Sequence, residues 1–147
     1  MHDAVQGHMV RLRVVCAAIF ASVALYGLVV ALIEAPSPPP LAQGGHLVWA
    51  FLALVLVNLV TLMPVYRAML VGPRRVYRHS HESLPLLNAH FTAHVVAYCR
   101  LELISVLGLV LYFAAARADW FWIFSGAAAV GMLLLASFGL GGSLAGA

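Results

Sequence analysis

Glu102 is the residue in this chain whose chemistry is hardest to ignore. It is the only carboxylate set deep inside a long apolar stretch, and on a helix it shares one side with Tyr98, Ser105, Tyr112, His94 and His90 within an arc of roughly 120°. An acid in that setting either carries a proton or an ion, or is a hydrogen-bonded packing group that fixes how helices register. Counting inward at about 1.5 Å per residue, Asn58 and Thr61 on the preceding apolar run lie closest in depth. The expected polar site therefore comprises Glu102, Tyr98, Ser105, Asn58 and Thr61, with Glu102 bonded to one of the other four or to water. Arg100 points away from that side and is expected to stretch its head toward the lipid headgroups.

Other reactive side chains form no catalytic set. His90 and His94 stand at i, i+4, a spacing that lets two imidazoles share a metal, yet no HExxH glutamate accompanies them and no third ligand is close in sequence. They are expected as solvated histidines just outside the hydrocarbon, and no metal or other cofactor is expected. A phosphate-binding glycine loop, a nucleophile elbow and a Ser/His/Asp set are all missing. The two cysteines, Cys16 and Cys99, make no CxxC and no disulfide framework.

The elements that must position these residues are dictated by composition. Apolar residues make up 64% of the 147, only 9% are charged, and the mean hydropathy is +1.00, far outside soluble globular proteins. Four runs are long enough to cross a hydrocarbon core, which takes about 20 helical residues: 14–33, 47–66, 97–116 and 120–139, the third as part of a helix that starts near 84–88. Continuous apolar runs exclude the alternation of a barrel strand. The fold expected is an all-α membrane protein, one domain over 1–147, with four transmembrane helices in two antiparallel hairpins and both termini cytoplasmic.

The connections carry the orientation. All eight basic residues are arginine. Arg11 and Arg13 precede the first run, and Arg67, Arg74, Arg75 and Arg78 fall in 67–82, expected as the long cytoplasmic basic loop. Arg117 alone lies on the opposite side. Positive charge favours the cytoplasm, which sets both termini and the basic loop there. The proline-rich segment 34–44 makes the first outer loop, and Ser83 with Pro85 suits a helix start. Trp49, Trp120 and Trp122 are expected as interfacial anchors at the outer boundary. The small residues of 125–131 permit close helix contact, and the glycine-rich tail is expected to fray.

The segment Arg100-Leu-Glu102-Leu-Ile-Ser-Val-Leu-Gly108-Leu-Val-Leu-Tyr112 resembles the carboxylate-bearing helix of the proteolipids of rotary ATPases, and it is also similar to a helix of small uncharacterised four-span bacterial inner-membrane proteins. The proteolipid resemblance implies that Glu102 is a proton or sodium carrier. The chain departs from that pattern because Glu102 sits on the third run and no glycine-repeat helix is present.

The reading that best fits the residues is a non-enzymatic protein of the bacterial inner membrane, an accessory or structural subunit of a larger complex. Its expected partners are the lipid bilayer and other membrane subunits or further copies of itself, with no nucleic acid. A proton- or ion-translocating protein using Glu102, and a haem- or quinone-binding redox subunit near His90 and His94, are the alternatives.

Overall fold

The computed structural model describes residues 2–33, 45–80 and 83–137. They form four helices: α1 (His2–Leu32), α2 (Gly45–Ser80), α3 (Ser83–Ala115) and α4 (Ala118–Ser137). Each is long and apolar enough to cross a membrane, so the chain is a multi-pass helical membrane protein. The proline-rich segment, residues 81 and 82 and the glycine-rich tail lie outside the described residues.

Three helices, α1, α2 and α3, run much further than the hydrocarbon requires. The 36 residues of α2 span about 54 Å, against a core of about 30 Å. The expected basic loop is therefore mostly helix. It continues through Pro64 and Pro73 to Ser80 and carries Arg67, Arg74, Arg75 and Arg78 on a helical extension. Loop character was expected from the polar, arginine-rich composition of 67–82, but a helix loses little more than one amide bond at each proline, arginine is a good helix former, and Leu70 in the extension is buried. Leu86 and Leu87 on the matching early part of α3 are buried as well. The N-terminal polar segment is likewise helical, as the first turns of α1.

Interhelical contacts fix the directions. His8, Ser22 and Ile33 meet His90, Glu102 and Tyr112 in the same order, so α1 and α3 run parallel. Asn58 meets Arg100 and Tyr66 meets His94, so α2 is antiparallel to α3. Tyr98 meets Met132 and Gly108 meets Phe121, so α4 is also antiparallel to α3.

Helix α3 is the hub. It packs on all three others, whereas α1 touches α4 only lightly and, among the described residues, α1 and α2 do not pack on one another. The first two helices thus form no packed hairpin of their own, and each leans on α3. The second pair does pack directly, through a turn of two residues in which Ala116 takes a left-handed conformation, φ 52°. Arg117 and Asp119 close an exposed ion pair beside it. Tyr98, Leu101, Ile104 and Leu111 of α3 meet Phe124, Ala128, Met132 and Leu135 of α4 in the main core. Lipid tails are as apolar as these side chains, so fit rather than water exclusion holds the seam. Gly108 provides it: a Cβ there would stand 3.1 Å from the Phe121 Cα.

Candidate functional site

The polar side chains of α3 divide themselves among the other helices. Tyr98 donates to the Met132 carbonyl of α4 at 3.1 Å. Arg100 takes α2: its Nε donates to Asn58 Oδ1 at 2.6 Å and its terminal nitrogens to Thr61 Oγ1 at 2.5 Å and to the carbonyls of Asn58 and Thr61. Asn58 Nδ2 returns a bond to the Arg100 carbonyl at 2.8 Å. Glu102 takes α1, where Ser22 Oγ and Tyr26 OH donate to the same oxygen, Oε1, at 2.5 and 2.9 Å. Further along, the Tyr112 hydroxyl donates to the carbonyl of Ile33, just past the end of α1.

These pairings correct the expected site. Glu102 bonds neither Asn58 nor Thr61, and neither Tyr98 nor Ser105. Asn58 and Thr61 belong to Arg100, which turns inward to α2 instead of toward headgroups. The reason is angular: Arg100 and Glu102 are two residues and about 200° apart on α3, so they must address different neighbours, and α2 and α1 occupy those two sides. Ser105 is fully buried with no partner for its hydroxyl.

The residues missed in sequence are Ser22 and Tyr26. They stand at i, i+4 in the otherwise apolar run 14–33 of α1, and that spacing of two hydroxyls was the available signal. Ser22 has one hydroxyl hydrogen and two acceptors, Glu102 Oε1 and the Ile19 carbonyl at 2.7 Å, so the hydrogen serves them alternately or is shared. Glu102 itself is only half-buried against α1.

A second polar group gathers at the arginine-rich end of the molecule. His90 and His94 are 1% and 3% exposed, not solvated as expected, because α1, α2 and α3 all extend to this level and enclose them. Their rings lie 4.2 Å apart between centroids, and the His8 ring of α1 is 6.4 Å from His90. Tyr66 OH of α2 lies 3.1 Å from His94 Nδ1, which also sits 3.1 Å from the His90 carbonyl. With its proton on Nδ1, His94 donates to that carbonyl and keeps Nε2 as an acceptor. Neither ring nitrogen of His90 has a hydrogen-bond partner. Among the described residues, no three His, Cys, Asp or Glu side chains are placed to hold a metal.

The interfacial tryptophans differ from one another. Trp49 and Trp122 are exposed, while Trp120 is half-buried and meets the Phe124 ring edge-on. Cys16 and Cys99 are free thiols. No family model matches the chain, and neither a curated protein nor a solved structure does so.

Proposed function

We propose that this is a non-enzymatic integral protein of the bacterial inner membrane, an accessory or structural subunit that works by packing its helices on those of a larger assembly. The observation that carries the reading is the position of α2. Among the described residues it is held by α3 alone, and its other sides present Trp49, Leu56, Val57 and Val60 at 53–73% exposure. The polar groups Tyr98, Arg100 and Glu102 bond the protein's own helices, which is the work of a scaffold. The arginine-rich end is assigned to the cytoplasm by the charge bias. Isolation in mild detergent tests the reading: co-purification with other membrane subunits, or a defined oligomer, supports it, and a free monomer contradicts it.

A second reading has its own observation, the convergence of Ser22 and Tyr26 on one carboxylate oxygen between α1 and α3. Hydroxyls on both sides of an intramembrane acid provide neighbours for a translocated proton or ion. Reconstitution into liposomes tests it: proton flux that Glu102→Gln abolishes supports translocation, and flux that is absent or unchanged in that variant removes it.

A further inference from the structure

Three helices meet at His90, and the meeting point is both sealed and surrounded by positive groups. Between centroids, the His90 ring of α3 lies 4.2 Å from that of His94, 6.4 Å from that of His8 on α1 and 6.5 Å from that of Tyr66 on α2. Arg74 of α2 adds a full positive charge beside His90, and Arg11 of α1 adds another beside His8. From α4 comes Ala136, and 120–137 holds no titratable side chain. The described carboxylates are Glu102, about 12 Å of helix from His94, and Asp119 at the opposite end of the bundle. Among the described residues, His90 has no counter-ion within reach. It stands about 10 Å of helix beyond the 97–116 span.

Both His90 nitrogens are closed to water and lack hydrogen-bond partners, as does His8 Nε2. A neutral imidazole survives this with unmade bonds, whereas an imidazolium, with two N–H donors and a unit charge, has neither acceptors nor compensation. Burial foremost, then His94, His8 and Arg74, push the His90 pKa well below the ordinary imidazole range, and burial does the same at His94. Any state in which water reaches the ring restores a value of about 6.5. The side that can yield is α1. Leu12 is the only buried residue of 6–16, and a hollow of about 240 Å³ already parts Met9, Leu12 and Cys16 from His90, His94 and Tyr98. On the other side α2 is tied to α3 through Tyr66 and His94 and through Asn58, Thr61 and Arg100. We propose that His90 is the trigger of an acid-opened latch: a proton on its imidazole releases the first turns of α1 from α3 and admits water to the arginine-rich end of the bundle. The closed form binds that proton more weakly than the open form. Closure is therefore complete above about pH 6.5 and is lost as pH falls, the open-to-closed ratio rising by up to about tenfold per pH unit for each proton taken up.

The test uses the full chain in phosphatidylcholine nanodiscs, with spin labels at Val10→Cys and Thr92→Cys in a Cys16→Ser, Cys99→Ser background. Both labelled positions are exposed, one on α1 and one on α3. Pulsed electron resonance reads their separation at about pH 7.5 and about pH 5, on either side of the ordinary histidine range. The expected result is one short separation at the higher pH and a second, longer one whose share relative to the short one rises about tenfold or more at the lower pH. His90→Phe, which fills the same space and takes no proton, stays closed at the lower pH. Arg74→Glu, which supplies the missing counter-charge from α2, stays closed as well. The two changes sit on different helices, and each variant is first matched to the parent's short separation at the higher pH. A second label pair at Leu103 and Leu133, exposed on α3 and α4, keeps its separation throughout. A parent that stays closed, or opening of either variant to the parent's extent, overturns the proposal. Movement of the Leu103 and Leu133 pair together with the first means general unfolding in acid and overturns it too.

Discussion

The Tyr26 hydroxyl of α1 donates to Glu102 Oε1 of α3 at 2.9 Å, which makes the only deep intramembrane acid of this chain a tie between two parallel helices. Ser22, one turn earlier, bonds the same oxygen, so the tie is bidentate from the α1 side. Glu102→Ala removes both interhelical bonds, leaving the Tyr26 hydroxyl without its acceptor and Ser22 with the Ile19 carbonyl alone, and interhelical bonds in membranes are each worth about 0.6 kcal/mol and at most about 1.7. Unfolding in mixed detergent is expected to show a loss of about 1 kcal/mol for Glu102→Ala and a smaller loss for Glu102→Gln, which keeps an acceptor oxygen. Equal stability of Glu102→Ala and the parent would mean that the tie contributes nothing.

Arg100 is expected to hold α2 in place. Its guanidinium spends its donors on Asn58 and Thr61, and α2 packs on no other helix among the described residues. A double-mutant cycle with Arg100→Leu and Asn58→Leu should give a coupling of about 1–2 kcal/mol. Arg100→Lys should recover only part of it, because an ammonium lacks the planar fork. Additive single effects would show that the two residues act separately.

The glycines of the α3/α4 seam should rank by what a methyl group meets. At Gly108 the neighbour is Phe121 backbone at 3.1 Å, which cannot yield without moving α4, so Gly108→Ala should cost about 1–3 kcal/mol. At Gly131 the contact is the end of the Leu101 side chain at 2.7 Å, so the loss should be smaller. Gly126 faces open space, and its change to Ala should stabilise by up to about 1 kcal/mol through helix propensity. Thermal unfolding of the three variants reads this order, and a Gly108→Ala protein as stable as the parent would contradict the packing.

Ala116 pays for a left-handed backbone that glycine adopts freely. Ala116→Gly is expected to raise stability by about 0.5–1 kcal/mol, part of the gain being returned as entropy of the unfolded chain. A lowered melting temperature would argue against a left-handed turn at this residue.

The fold was legible in sequence where lipid imposes the strictest rule. Runs of about 20 apolar residues have one helical solution in hydrocarbon, and Arg117-Ala-Asp119 left room only for a tight turn. Outside the hydrocarbon the rule lapses, which is why 67–80 reads as loop in sequence and is helix in the structure: its helicity comes from tertiary burial such as that of Leu70. The candidate site was legible residue by residue but not pair by pair. Glu102, Asn58 and Thr61 were identified as interior polar groups, yet depth alone matched Glu102 to α2, when rotation about α3 gives α2 to Arg100 and α1 to Glu102. The burial of His90 and His94 depends on the lengths of three helices at once, and no local spacing encodes that.

The most direct test of the central claim is the mass of the particle that carries this chain after extraction in mild detergent, measured by light scattering or native mass spectrometry. The account predicts a complex well above the 15.7 kDa of one chain, in which other membrane subunits or further copies cover the exposed side of α2. Charged substitution at Val60, 73% exposed at mid-helix, should break that complex while leaving the α2/α3 contact intact. A stable, monodisperse single chain with its detergent shell and nothing else would contradict the account.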